Sequence, residues 1–126
     1  MPSISVIKNT DCTLKFKCFD TFLSKKPIDL TIFKNFIFAV TESGKLLIEK
    51  KLNTNDIFIT TELDGYNPYI VNVKFNNMDT KNLSTNPHDE EKVRIYELFA
   101  ITTDNSVQRL IFGNFYLEPT GYYHVR

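Results

Sequence analysis

Apolar and polar residues alternate along most of this chain, and this pattern constrains the fold more than any other feature of the sequence. Residues 12–19 alternate in this way, and residues 69–75 do so again. A period of two is the geometry of a β-strand whose two faces meet different surroundings, whereas a helix repeats every 3.6 residues. The pattern therefore predicts an all-β chain.

Turn residues divide this pattern into about seven to nine short strands. The predicted strands cover residues 3–8, 12–19, 35–41, 46–51, 57–60, 69–75, 93–102, 107–112 and 114–118. We expect Gly113 to permit a bulge or kink between the last two strands. A helical turn or two is expected only within residues 78–92. Uneven strand and loop lengths favour an antiparallel β-sandwich over a closed barrel.

Length and charge limit the classes of protein to consider. The 126 residues suffice for one domain, predicted to span 1–126. Fifteen acidic residues balance fifteen basic ones, so no field attracts nucleic acid or an anionic membrane. No apolar run approaches the roughly 18 residues of a membrane-spanning helix. Met1-Pro2-Ser3 does not resemble the start of a secretion signal, so an intracellular origin is expected.

The two cysteines are predicted to be buried and reduced. Cys12 and Cys18 share the inward parity of Leu14 and Phe16. On a continuous strand they would stand roughly 20 Å apart, beyond disulfide reach. They therefore indicate two small buried side chains in a reducing compartment, rather than a redox or metal site.

Three short motifs carry a resemblance to a known family. The first is the corner Pro27-Ile28-Asp29-Leu30-Thr31, which is followed by the β-rich run 36–40. The second extends from Phe75 through Asp79-Thr80 to Leu83, and the third is the closing hairpin through Gly113. With these motifs the chain resembles, over residues 12–118, the immunoglobulin-like module of phage baseplate upper proteins and related virion proteins.

The resemblance implies an immunoglobulin-like β-sandwich and a structural role in a phage particle. Within the corner, Pro27 fixes φ, Asp29 can accept backbone N–H bonds, and Leu30 is expected to enter the core. Ile32-Phe33 stands where the family usually has Gly. Residues 84–92 look like an insertion.

The expected function is that of a non-enzymatic capsid auxiliary or decoration protein, because the chain is a single domain with no appended fibre. A baseplate, tail or fibre-adaptor component is the near alternative. Its expected partners are other phage structural proteins, in many copies, without nucleic acid or membrane. Its expected location is the virion, after synthesis in the cytoplasm of the host bacterium.

Few residues suggest chemistry, and no catalytic set, cofactor site or metal site is predicted. His88-Asp89-Glu90-Glu91 could offer oxygen ligands to a divalent cation, although a solvated acidic loop is favoured because no Gly or Asn separates the acids. A carbohydrate-binding module is a further alternative. It would need an exposed aromatic platform such as Tyr66 with Tyr69, and ideally a calcium site.

The C-terminal segment, residues 119–126, is a candidate docking tail. Tyr122, Tyr123, His124 and Arg126 have the composition of an interface, in which Tyr and Arg are enriched. Successive side chains of a strand point to opposite faces, so at least one of the two tyrosines should face a neighbour. The alternative is that the tail pairs along the sheet of its own domain.

Overall fold

A computed structural model describes residues 2–18, 29–61, 69–88 and 92–120 of the protein. Within these ranges eight strands form two sheets. The strands are β1 Ile4–Ile7, β2 Cys12–Phe16, β3 Asn35–Glu42, β4 Lys45–Lys51, β5 Ile57–Thr61, β6 Tyr69–Phe75, β7 Arg94–Ile101 and β8 Val107–Glu118. One short helix, α1 Asn77–Thr80, and two 3₁₀ turns, Leu30–Ile32 and Leu52–Thr54, connect them. No helix in the described ranges has the length and apolar character needed to span a membrane.

The predicted β-sandwich is confirmed, and its strand order is that of an immunoglobulin fold. The larger sheet has the order β1-β8-β7-β3-β4, and the smaller sheet has the order β2-β6-β5. Immunoglobulin sandwiches place strands C, F and G side by side in one sheet and strands B, E and D in the other. Here β3, β7 and β8 take the first set of positions and β2, β6 and β5 take the second. β4 lies beside β3, where variable-type domains carry an additional strand.

One strand pair departs from the expected antiparallel arrangement. β1 runs parallel to β8, with Ile4 opposite Phe115 and Val6 opposite Leu117. The other described strand pairs are antiparallel. Parallel neighbours need a long connection, and nearly the whole chain separates β1 from β8. The alternating pattern assigns a residue to a face but carries no information about the direction of a distant partner.

The two sheets enclose one core built largely from aromatic rings. The inward residues Phe36, Phe38 and Val40 of β3 are at most 1% exposed. Phe16 of the smaller sheet lies 5.9 Å from Phe38 and 5.8 Å from Tyr96, measured between ring centroids. Such tilted ring pairs contribute about 0.5–1.5 kcal/mol beyond their buried area. Phe16 therefore fastens the smaller sheet to the larger one.

The cysteines both face the core as predicted, Cys12 at the start of β2 and Cys18 two residues beyond its end. Cys18 is buried, Cys12 is partly buried, and both are reduced. The strand is shorter than predicted, because its pairing with β6 stops at Phe16 opposite Val71. The alternating pattern thus predicted the inward side chains correctly, but the strand that it predicted is too long.

Gly113 serves a different purpose from the predicted kink, and that prediction was wrong. β8 continues unbroken from Val107 to Glu118. The irregularity of this hairpin lies between Leu98 and Phe99 instead. A Cβ at Gly113 would lie 3.0 Å from the carbonyl carbon of Pro2 and would overlap its oxygen. Glycine therefore makes room for the segment that leads into β1.

The described part of the predicted insertion at residues 84–92 is bound to β8. Asn86 is fully buried, and its backbone nitrogen donates to the Leu117 carbonyl at 2.9 Å. Its side-chain Nδ2 donates to the Phe115 carbonyl at 2.9 Å, and its Oδ1 accepts from the Leu117 nitrogen at 2.6 Å. Asn86 thus satisfies backbone groups of β8 beyond the point where the pairing with β7 ends.

Arg94 holds this segment in place from inside the sandwich. Its side chain is 2% exposed and occupies an inward position at the start of β7. Nη1 donates to the Ser84 carbonyl at 2.7 Å and to Asn86 Oδ1 at 3.1 Å, while Nε donates to Glu42 Oε1 at 3.2 Å. A buried arginine requires such partners because an unpaired buried charge is strongly unfavourable.

We expect Leu30→Ala to destabilise the protein by about 2–3 kcal/mol. Leu30 is 2% exposed, and its loss leaves a cavity, but a three-residue turn can relax more than a strand. Ile32 in the same turn is 58% exposed, so Ile32→Ala is the matched control and should stay within about 0.5 kcal/mol. Urea denaturation measures both values, and the reverse ranking would mean that the turn faces outward.

Candidate interaction surface

The residues predicted to bind a partner lie outside the described ranges. Tyr122, Tyr123, His124 and Arg126 belong to the end of the chain beyond residue 120, and Pro27 also falls in an undescribed range. The docking role of the tail remains a prediction.

The described part of the predicted corner has the contacts of a fold-specifying turn. Asp29 Oδ1 accepts hydrogen bonds from the Thr31 hydroxyl at 2.5 Å and from the Thr31 backbone nitrogen at 3.0 Å. These two bonds, the side-chain bond first, hold the pKa of Asp29 below its usual value. Asp29 thereby caps the 3₁₀ turn whose first residue, Leu30, enters the core.

A larger surface emerges on the outside of the five-stranded sheet. Along β3 and β7 every second side chain points into the core, and the intervening ones point away from it. We call the outward side chains of β4, β3, β7 and β8 the outer face. Its large apolar members are Ile37, Leu46, Ile95, Phe99, Ile101, Val107 and Phe112. Its charged members are Glu49, Lys51, Glu97 and Arg109.

The outer face leaves apolar area in contact with water. Val107 is 65% exposed, Leu46 is 51% exposed and Ile95 is 40% exposed, and the other large apolar members are partly exposed. Single exposed apolar residues are normal on a protein surface, whereas a contiguous group marks a site of interaction. Ile37 pairs with Phe99 and Ile101 pairs with Val107, so these four residues form a contiguous apolar group on β3, β7 and β8. Leu46 and Ile95 lie further along the strands, on either side of Thr41.

Two contacts fix the Arg109 side chain on this face. Its guanidinium carbon lies 3.6 Å from the centroid of the Phe112 ring, and its Nη1 donates to Glu97 Oε2 at 3.2 Å. Stacking and the ion pair hold the planar group flat against the sheet. Arginine and aromatic residues dominate the binding energy of protein interfaces, and a fixed arginine loses less entropy when it binds.

His88 has contacts that differ from those of a cation site. Its ring stacks on Tyr116 at 3.8 Å between centroids, and its Nε2 lies 3.1 Å from Ser5 Oγ and 3.6 Å from Glu118 Oε1. Asp89, Glu90 and Glu91 lie outside the described residues. Within the described part of the chain, no group of three or more His, Cys, Asp or Glu residues could hold a metal ion.

An open cleft of about 440 Å³ lies between the two sheets near Cys12 and Lys50. The Lys50 side chain is 7% exposed, and its Nζ donates to Asp79 Oδ2 at 2.7 Å. Asp79 also accepts from the Asn76 nitrogen and so completes the cap of α1. The Lys50 ammonium is thus committed to holding α1 against β4.

The cysteine thiols are poor nucleophiles. Burial, followed by the negative charges of Asp11 and Asp79, raises the pKa of Cys12. Burial raises the pKa of Cys18 to about 12. Because the thiolate is the reactive form, both shifts lower the reactivity of these side chains.

Of the two residues considered as an aromatic platform for carbohydrate binding, only Tyr69 lies in the described part of the chain. Tyr69 is partly buried and packs against the core. Tyr66 lies outside the described residues. Tyr69 therefore contributes to the sandwich interior as well as to any surface nearby.

The sequence contained a signal for the outer face that alternation alone did not reveal. Residues 36–40 and 98–101 are continuous apolar runs. In an antiparallel sheet with one face in water, apolar residues should alternate with polar ones. A continuous run therefore indicates that the second face of the strand is also suited to burial.

Comparison of the chain with protein-family models and with curated protein sequences finds no match. The surface that the fold presents is therefore the basis for assigning a function.

Proposed function

We propose that the protein is a non-enzymatic structural component of a phage virion, a capsid auxiliary or decoration protein that assembles by using its outer face as a protein contact. The observation that carries this proposal is the exposed apolar surface of the outer face, with its contiguous group Ile37, Phe99, Ile101 and Val107. The phage context comes from the resemblance of residues 12–118 to the immunoglobulin-like virion module.

The shape of the surface favours a protein partner over a small molecule. Small ligands bind in concave pockets that bury most of their area. The outer face is instead one side of a four-strand span, on which an apolar group lies beside the Arg109 guanidinium that stacks on Phe112. Such a surface fits another folded protein, and a symmetric particle multiplies weak contacts into stable attachment.

The non-enzymatic part of the proposal is supported by the engagement of the polar groups near the cleft. Lys50 is bound to Asp79, and burial together with the charges of Asp11 and Asp79 raises the pKa of the Cys12 thiol. These residues have structural tasks that account for their positions.

The proposal predicts that Ile95→Lys reduces incorporation into virions at least tenfold. Ile95 is 40% exposed near the start of β7, so a lysine can be placed there without disturbing the core. An ammonium at a position that the contact covers would have to be desolvated, which opposes binding. Quantitative mass spectrometry of purified particles, with the untagged protein supplied in trans, measures the occupancy.

Ile32→Lys provides the matched control, because Ile32 is 58% exposed and lies on a 3₁₀ turn away from the outer face. It should enter particles at the wild-type level. Equal loss for both variants would mean that docking does not use the outer face. Absence of the wild-type protein from purified virions would overturn the structural-protein proposal itself.

The location of the protein on the same particles distinguishes a decoration protein from a tail component. If the labelled protein lies on the shell, it is a decoration protein. If it lies at one end of the particle, it is a baseplate, tail or fibre-adaptor component. Binding to a glycan array by protein that never enters particles would instead show the carbohydrate-binding alternative.

A further inference from the structure

We infer that the outer face binds a second copy of this chain, in a symmetric dimer that is the unit of assembly. This inference rests on the proposed function for the use of the surface and adds the identity of the partner. Its basis is the arrangement of charges across the four strands.

The charges of the outer face are sorted into two rows. One row crosses the strands through Lys51, Ile37, Phe99 and Arg109, which are direct cross-strand neighbours. The next row crosses through Glu49, Ala39, Glu97 and Phe112. The cations therefore lie in one row and the anions lie in the other, about 7 Å further along the strands.

A two-fold axis between the two rows brings the cations of one copy close to the anions of the other. A symmetric dimer uses the same patch on both copies, so that patch must complement itself. An axis that crosses the strands between the two rows places the cation row of each copy over the anion row of the other. Lys51 then faces Glu49 of the second copy, and Arg109 lies near its Glu97.

The same axis also matches the apolar residues. The row beyond the cations contains Ile101, and the row beyond the anions contains Ile95. Rotation about the axis places each of these over the other in the second copy. Asn35 and Thr41 of β3 exchange in the same way, so on these strands an apolar pair and a polar pair are matched, whereas at the β8 end Val107 meets Asn114.

The area is of the size that a stable dimer needs. Four strands about 4.8 Å apart and eight residues long give a footprint on the order of 500 Å². Because the side chains protrude from the sheet, the accessible area is larger than this footprint. It approaches the area of a standard interface, which is about 800 Å² per partner. Two sheets stacked face to face pack in the same manner as the two layers of a sandwich.

Two charge reversals test the dimer and its axis together. In Lys51→Glu protein, Glu49 would face a second carboxylate, and in Glu49→Lys protein, Lys51 would face a second ammonium. Each contact occurs twice by symmetry, so either variant alone should dimerise at least about tenfold more weakly than the wild type. An equimolar mixture should form a heterodimer, because each new charge then meets an opposite one. Sedimentation equilibrium measures the Kd, and native mass spectrometry of one isotope-labelled variant measures the heterodimer.

Lys15→Glu makes the same charge change on β2 of the smaller sheet and should leave the Kd unchanged. A wild-type protein that is monomeric at several hundred micromolar overturns the inference. So does a dimer that is insensitive to both reversals, because its contact lies elsewhere. Neither result affects the virion test, in which the wild-type protein is sought in particles, so failure of the dimer and failure of the proposed function are distinguishable.

Discussion

Arg94→Met is expected to destabilise the protein by about 3–5 kcal/mol, the range for removing one partner of a buried charged network. Methionine retains much of the apolar stem but none of the N–H donors. Asn86 Oδ1 and the Ser84 carbonyl then each lose a donor inside the protein, and Glu42 loses its ion pair. The midpoint of urea denaturation should fall while the slope of the transition is unchanged.

Lys92→Met is the control for this prediction. Lys92 also donates to Ser84, through Nζ to Oγ at 2.6 Å, but it is exposed. Exposed polar contacts add little to stability, so its loss should cost less than about 1 kcal/mol. Similar costs for the two variants would mean that Arg94 is hydrated and that the segment before β7 is not held by it.

Gly113→Ala is expected to cost about 3–5 kcal/mol, although alanine is the better strand residue by propensity. The methyl group would overlap the Pro2 carbonyl, so the segment leading into β1 would have to move. That movement breaks the hydrogen bond that the Tyr96 hydroxyl donates to the Pro2 carbonyl at 2.6 Å. Burial raises the pKa of Tyr96 to about 12, so this hydroxyl remains a donor under ordinary conditions. If β1 detaches, the burial of Val6 is lost as well.

A double-mutant cycle isolates the cause of this effect. In a chain lacking residues 1–3 the Pro2 carbonyl is absent, and Gly113→Ala should then cost less than about 1 kcal/mol. Hydrogen exchange of the β1 amides reports detachment directly. The same penalty in both backgrounds would place the collision within the sheet, at the ring of Tyr96, and would contradict the role assigned to Pro2.

The sequence predicted those features that depend on neighbouring residues. β6 covers Tyr69–Phe75 as predicted, because alternation over seven residues is decided by local burial on one face. The inward side of β2 was correct for the same reason. The single helical turn was expected slightly too late, at 78–92, whereas α1 begins at Asn77 with an Asn76 cap.

Features that depend on distant contacts were not predictable from local pattern. Gly113 was interpreted as a kink because nothing near it in sequence reveals that Pro2 lies against it. Asn86 looked like a residue of an insertion, because its partners Phe115 and Leu117 are about 30 residues away. The outer face was missed for a related reason, since the exposure of Ile95 depends on which elements pack beside β7.

The pairing of β1 with β8 has a consequence for how the chain is made. Ile4 and Phe115 are neighbours in the sheet but are about 110 residues apart in the chain. At ordinary rates of translation β1 leaves the ribosome about 5–20 s before its partner is synthesised. During that interval its backbone donors and acceptors are open to any other strand edge, including that of a second nascent chain.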